Sequence, residues 1–326
     1  MKKLFLSSII LLFILIGVLP AILGLCFPRS IGRQDFSFPF FNQNLDGDIL
    51  ISCLDAKTNT ILKMDIEEYL VGVLAAEMPA SYEIEALKAQ AVAARSYILS
   101  NMDAPNPNHP DADVCTDSTH CKAWLSEADA KDKWKSFDKI LYWNKLRSAV
   151  DSTRGEYMVY DDQVIEAFFF ASSGGKTENS EDIWGSSRPY LKSVESYGDT
   201  ISSDCYSTLT LSLADFKSKL QPFFNQRLSS DTPLQIGEIT RTQGGSVAKI
   251  MLFGKSFKGT EIRSIFGLRS ANFTIETVDD NVVFKVAGYG HGVGMSQVGA
   301  NYMAKSGQNY TEILSHYYTN IQIVEL

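Results

Sequence analysis

Excess positive charge is missing from this sequence of 326 residues: 30 Lys and Arg stand against 38 Asp and Glu, for a formal net charge of −8. A broad nucleic-acid footprint is thereby excluded, because it needs clustered cations that displace counterions from phosphates. Any anionic ligand must be met by cations gathered locally. Cysteine is sparse and odd in number, at Cys26, Cys53, Cys115, Cys121 and Cys205, so no disulfide framework is evident. Internal repeats and low-complexity segments are absent. With 45% apolar and 21% charged residues the chain is neither disordered, nor collagen-like, nor a polytopic membrane protein. Several catalytic signatures are also missing. There is no H-E-x-x-H, no Ser, His and Asp set in a recognisable register, no G-x-G-x-x-G and no G-K-[ST], which sets aside metalloproteases, serine hydrolases and nucleotide-binding enzymes.

Long apolar runs are scarce too, and the one present lies at the N-terminus. Leu4 to Phe27 is free of charge over 24 residues, about 36 Å as a helix against a hydrocarbon core of roughly 30 Å. It has no small-residue cleavage point, and Leu25 occupies the position before Cys26 where a lipobox needs a small side chain. The expectation is an uncleaved transmembrane anchor; a cleaved signal peptide exporting the same domain is the alternative. Lys2 and Lys3 favour a cytoplasmic tip at residues 1–3, against Arg29 and Arg33 on the other flank. The body would then lie outside the cytoplasm, with residues 28–45 as a juxtamembrane linker and 46–326 as one domain.

Within that domain the patterns predict an α+β fold of helices and antiparallel strands. Asp48 to Leu54 and Thr60 to Met64 flank the turn Lys57-Thr58-Asn59 and read as a hairpin. Asp65 with Glu68 forms a capping box for a helix reaching Glu77, which Pro79 stops. A second helix, capped by Ser81, carries the stripe Ile84, Leu87, Ala91, Ala94 and Ile98. Residues 101–122 are a polar loop, Ala123 to Trp143 a helix, and Gly155 to Ala171 a hairpin turning at Asp161 and Asp162. From about 200 to 286 the sequence is strand-rich, as for a β-rich insertion. A Gly-rich loop after Ala287 feeds a helix, followed by a helix at Thr311 to Tyr318 and a strand at Ile321 to Val324.

Four constellations could carry chemistry. Glu77 continues the stripe of Ile66, Tyr69, Leu70, Val73 and Leu74 into the last helical turn, where the macrodipole and desolvation both raise a carboxyl pKa, as a general acid requires. The structural alternative has it reach solvent or pair with Arg95. His109, Cys115 and Cys121 offer imidazole and thiolate donors of the kind zinc takes, in a long loop that a metal would order; His120 competes with His109, and a local disulfide or two free thiols are the other readings. Gly288, Gly290, Gly292 and Gly294 let the backbone approach a ligand beside His291, Ser296 and Gln297, or simply make a tight strand-to-helix turn capped by Ser296. Ala171-Ser172-Ser173-Gly174-Gly175 is a second close-approach loop or a plain turn.

The phrases LVGVLAAEMPASYEIEALKAQAVAARSYIL, FFFASSGGKT, WGSSRPYL and GYGHGVGMSQVGA, in that order over most of the domain, resemble the stage II sporulation protein D (SpoIID) family. The resemblance implies an anchored lytic transglycosylase that cuts peptidoglycan glycan strands during engulfment, with two lobes around a central cleft. It carries the catalytic acid onto Glu77, in AAEMP, and in its clostridial members a structural zinc onto His109, Cys115 and Cys121. On this reading Ser173, Tyr289, His291, Ser296 and Gln297 line the glycan groove, while Arg95 or Arg188 meets the lactyl carboxylate of muramic acid. The partners implied are a peptide-removing cell-wall amidase and a multispanning sporulation membrane protein at the mother-cell membrane. Related wall proteins sharing the domain are regarded as non-enzymatic enhancers of an amidase, which is the alternative function.

Overall fold

A computed structural model of the protein describes residues 49–102, 109–117, 121–229 and 233–326. The expected anchor and the whole of the linker lie outside the described residues, among which no helix is long and apolar enough to cross a membrane.

The chain enters through an antiparallel hairpin, β1 (Leu50–Asp55) and β2 (Thr60–Asp65), whose turn is closed by the Asp55 carboxylate accepting from the Lys57 amide and the Thr58 hydroxyl. Asp65 then caps α1 (Ile66–Glu77), accepting from the amide of Glu67. The reciprocal Glu68 contact of a capping box is not part of that cap. The helix ends where Met78 turns extended ahead of Pro79, since the residue before proline is sterically driven out of the helical region. A turn from Pro79 to Tyr82 delays α2 (Ile84–Asn101), so its N-cap is Glu83 and not Ser81. Ala86, Ala89, Ala91, Ala93 and Ala94 are all buried, and their small side chains let α2 run through the centre of the helical half.

A short strand β3 (Val114–Cys115) pairs in parallel with β1. The expected helix over 123–143 is two helices, α3 (Glu127–Lys133) and α4 (Lys139–Asp151). Ser126 caps the first by accepting from the Asp129 amide, and Trp134 leaves the helix in extended conformation to set its ring edge-on to Tyr142 at 5.6 Å. Next come β4 (Glu156–Tyr160) and β5 (Gln163–Val164), joined by Asp161 and Asp162, both left-handed at φ 47° and 59°, the conformation a two-residue type I′ hairpin demands. The C-terminal strand of the chain adds to the other edge of β4.

Beyond β6 (Phe169–Phe170), α5 (Ser180–Trp184) and α6 (Tyr197–Ile201) lies the β-rich half. There β7 (Tyr206–Ser212) and α7 (Leu213–Leu220) precede the meander β8 (Ile236–Arg241), β9 (Val247–Leu252) and β10 (Lys255–Phe257). After α8 (Gly259–Phe266), β11 (Phe273–Val278) and β12 (Asn281–Ala287) form a second antiparallel sheet in the order β11, β12, β7. Phe216, Phe266, Phe284, Ile250 and Leu252 anchor the core of this half. The chain then returns through β13 (Met295–Ser296), parallel to β6, into α9 (Gln297–Lys305), α10 (Tyr310–Tyr317) and β14 (Gln322–Glu325). The fold is thus α+β, with helices and mostly antiparallel strands.

Candidate active site

Glu77 sits on the last residue of α1, and the segment 121–125 reaches it by running along that helix. Gly72 makes the approach possible: a Cβ there would lie 2.2 Å from Nε1 of Trp124, whose ring fills the space that a side chain would take. The amide of Leu125 donates to the Gly72 carbonyl at 3.2 Å, and the amide of Ala123 donates to Glu77 Oε1 at 3.1 Å. Burial pushes the Glu77 pKa up, opposed by the Lys122 ammonium and the Ala123 hydrogen bond. The net effect is a carboxyl that keeps its proton above the usual carboxylate range.

Lys122 is the cation at this site. Its ammonium lies 3.8 Å from the centre of the Tyr97 ring and 4.2 Å from that of Phe169, a desolvated cation–π arrangement. Burial lowers its pKa to about 8, against the pull of Glu77. The same charge acts on His291, whose pKa falls to about 4 through burial, Lys122 and Arg263. His291 is therefore neutral near pH 7. Its Nδ1 accepts from the Val293 amide at 3.1 Å.

Around His291 the rings form a platform. Phe168 and Trp184 lie 4.5 Å apart, and Trp184 and His291 5.4 Å apart, while the Arg188 guanidinium stands over both Phe168 and Trp184. Glu166 holds Arg188 in place at 2.6 Å. Trp184 remains partly exposed, as a surface for stacking requires.

The two glycine-bearing loops are zipped to one another: Ser172 pairs with Tyr289 and Glu178 with Val293. Gly290 and Gly294 have left-handed backbones, and a Cβ at Gly294 would meet the Phe168 carbonyl at 2.0 Å, so only glycine allows this approach. Ser173 and Ser296, expected in the groove, are buried and turn inward. Both hydroxyls donate to Asp199, which also accepts from the Ser173 amide at 2.9 Å; burial holds the Asp199 pKa up. Ser296 also caps α9. Gln297 is buried, its amide 3.4 Å from Oε1 of Gln90. Tyr289 is half exposed with Arg269 over its ring. Arg95 lies elsewhere: it is wholly buried, its guanidinium gripping the Glu67 carboxylate and donating to the Glu156 carbonyl. It cannot reach a substrate carboxylate, nor does it pair with Glu77. Arg188 is the expected cation that stays near the platform.

The structure thus gathers Glu77 and His291 around Lys122, sets Arg188 over the Phe168 and Trp184 rings beside them, and leaves Arg95 apart. Lys122, Trp184 and Asp199 were not singled out from sequence. Trp184 stands inside the phrase WGSSRPYL and Lys122 beside Cys121, but each acts through neighbours distant in the chain, and Asp199 has no local signal.

His109, Cys115 and Cys121 converge, their donor atoms all within 4.8 Å of one another. His109 Nδ1 lies 2.7 Å from the Ala112 carbonyl, which fixes the tautomer and leaves Nε2, 3.2 Å from Cys121 Sγ, as the ligating atom. Neither cysteine is part of a disulfide. Two soft sulfurs and one imidazole fit zinc. His120 is outside the described residues. Cys53 is a buried core thiol one strand away, its pKa pushed up to about 12 by burial, and Cys205 donates to the Ser173 carbonyl.

The family profile described as "SpoIID: Stage II sporulation protein" matches residues 55–160, from the entry hairpin through Glu77 and the metal loop to β4. The chain is 41% identical over 269 residues to "Stage II sporulation protein D" of Bacillus amyloliquefaciens, covering 82% of this chain and 76% of that protein. It is 40% identical, with the same coverage, to the protein of that name from Bacillus subtilis (strain 168). The chain belongs to the stage II sporulation protein D family. It is a sporulation protein by that membership. The "Amidase enhancer" of Bacillus subtilis (strain 168) is more distant, at 28% identity over 299 residues, which is 76% of this chain and 39% of that protein.

Proposed function

We propose that the protein is a lytic transglycosylase that cleaves peptide-free peptidoglycan glycan strands, tethered by Leu4 to Phe27 with its catalytic domain outside the cytoplasm, where it acts in engulfment. The observation that supports this most is the isolation of Glu77. Its electrostatic neighbour is Lys122, and no carboxylate among the described residues acts on it. A glycoside hydrolase needs a second carboxylate to attack the sugar or activate water; a transglycosylase does not.

With its raised pKa, Glu77 holds the proton to deliver to the glycosidic oxygen as the bond to the anomeric carbon breaks. The carboxylate left behind then takes the proton of the muramic acid 6-hydroxyl as that oxygen closes on the oxocarbenium centre. The nucleophile is part of the same sugar, with an effective molarity on the order of 10⁵ M or more when well placed, so it outcompetes water. The product is a 1,6-anhydro end. Lys122 stabilises the transient carboxylate. Trp184 with Phe168 and His291 supplies the stacking surface for a sugar ring, Tyr289 the exposed edge of the groove, and Arg188 the cation for a lactyl carboxylate. Ser173, Ser296 and Gln297 act from behind: the serines fix the two loops through Asp199, and Gln297 packs α9 against α2.

A metal held by His109, Cys115 and Cys121 would supply order and not chemistry, clipping the loop that delivers Lys122 and Ala123 to Glu77. The partners proposed are an amidase that strips peptides from the strands and a multispanning membrane protein.

The test is mass spectrometry of products from peptide-free glycan strands, incubated with the protein or with its Glu77→Gln variant. Anhydro-muramic ends from the unaltered protein alone are expected. The kinship with a protein named amidase enhancer supports a second reading, a glycan-binding modifier of a partner. It predicts no products from either protein and a faster reaction when an amidase is added.

A further inference from the structure

The turn between α3 and α4 exposes apolar surface that the active site does not use. Phe137 is 97% exposed, Ile140 67% and Leu141 63%, the first just before α4 and the other two in its first turn. Trp134 and Tyr142 stack edge to face beside them. Phe137 is among the most exposed large apolar side chains in the described residues, and three adjacent ones form a protruding knob, not a groove. Contiguous exposed apolar surface of this kind marks a contact site.

The charge around the knob differs from that of the molecule. Between residues 131 and 145 there are five lysines, Lys131, Lys133, Lys135, Lys139 and Lys145, against Asp132 and Asp138, in a chain of net charge −8. Lys131 and Lys139 are ion-paired with Glu127 and Asp132. Lys133 and Lys135 are exposed on either side of Trp134 and make no ion pair among the described residues. Aromatic and aliphatic side chains flanked by lysines are what an anionic bilayer surface recognises: the rings enter the headgroup boundary while the ammonium groups stay with the phosphates.

We propose that the α3–α4 turn is a second, reversible membrane contact that docks on anionic lipid headgroups. This rests on the reading of Leu4 to Phe27 as an anchor. On that reading the 21 residues from 28 to 48 keep the domain within roughly 70 Å of the bilayer even when fully extended, so a weak surface contact suffices. Docking would fix which face of the domain the glycan strands meet.

The experiment uses the full chain in lipid nanodiscs, with the photoreactive amino acid p-benzoylphenylalanine in place of Phe137, or in place of Ile201, at the end of α6, as an exposed control outside the α3–α4 turn. Lipid adducts are counted by mass spectrometry after irradiation. With phosphatidylglycerol present, position 137 is expected to give adducts several-fold above position 201. That yield should fall several-fold in phosphatidylcholine alone, in high salt, and in a Lys133→Ser, Lys135→Ser variant. Equal yields at 137 and 201, or a yield at 137 indifferent to lipid charge, overturn the proposal. Capture of an added wall amidase at 137 in preference to lipid also overturns it. A chain that fails to co-purify with nanodiscs instead refutes the anchor. An Ile140→Ser, Leu141→Ser variant should lose docking yet cleave soluble glycan strands at the unaltered rate, since neither side chain touches the site.

Discussion

The two ends of α1 each carry a buried or half-buried glutamate, and they have been put to opposite uses. At the first turn, Glu67 is met by the Arg95 guanidinium on both carboxylate oxygens and by the amide of Gly155, so its charge is matched within the core and helix α2 is locked to the start of β4. At the last turn, Glu77 has one amide donor and one ammonium in its surroundings, and burial outweighs them. A carboxylate that is fully matched is a structural joint. One that is desolvated and only partly matched keeps a proton that it can deliver.

The comparison breaks most sharply at Glu77. Glu77→Gln keeps shape and volume but removes the proton, and a general acid is worth about 10²–10⁴ in rate. Anhydro-product formation should drop about 10³-fold or more; a variant retaining full rate would move catalysis to another group. At the other end the effect should appear in stability and not only in chemistry. Arg95→Ala strands a carboxylate in the core, which costs about 3–5 kcal/mol for a buried pair, measurable by denaturant unfolding. Should Arg95→Ala instead leave stability intact and weaken glycan binding alone, Glu67 and Glu77 would have exchanged roles.

Much of this contrast was legible in the residues. The helix stripe isolates Glu77, the dipeptide Asp161-Asp162 announces its hairpin turn, and Ser296 reads as a cap. The partner of Arg95 was not, because helix periodicity places both Glu67 and Glu77 near one face and only the packing of α2 decides which one meets the guanidinium. Lys122 was hidden for a related reason. It sits in a loop without periodicity, and its significance comes from rings contributed by α2 and β6. The family resemblance places Ser173 and Ser296 in the groove, but a single buried carboxylate, Asp199, turns both hydroxyls inward. The break between α3 and α4 was equally silent, as Trp134 leaves the helix for a contact with Tyr142 that no local pattern encodes.

The metal loop bears on the same contrast, because Cys121 leads directly into Lys122 and Ala123, which serve Glu77, while at the first turn of α1 it is met only by the Tyr69 hydroxyl, which donates to the Cys115 carbonyl at 3.3 Å, and not by Glu67. Loading with zinc at about 100 times the dissociation constant should stabilise the fold by about 2.7 kcal/mol, and a chelator should remove that increment in a thermal melt. Amide exchange at Ala123 should accelerate on chelation while that at Gly155, which serves Glu67, stays unchanged. Equal acceleration at both would mean that the metal supports the whole helical half.

The finest distinction is electrostatic. On the proposed mechanism Glu77 must be protonated to act, so turnover should fall as pH rises through its elevated pKa. Lys122 favours the carboxylate and holds that pKa below what burial alone would impose. Lys122→Met keeps the packing against Tyr97 and Phe169 but deletes the charge, so the alkaline limb of the kcat profile should move to higher pH, while the low-pH plateau falls because the ammonium no longer stabilises the carboxylate left behind. His291 gives an internal control. Its pKa of about 4 lies below the ordinary histidine value, so the unfolded chain binds the extra proton between those values and stability falls as pH drops from about 6.5 towards 4. That acid-side loss should shrink in Lys122→Met, because removing a neighbouring cation raises the His291 pKa towards its unfolded value. A limb that moves to lower pH, or an acid-side slope that steepens, would show that Lys122 is not the charge these two groups share.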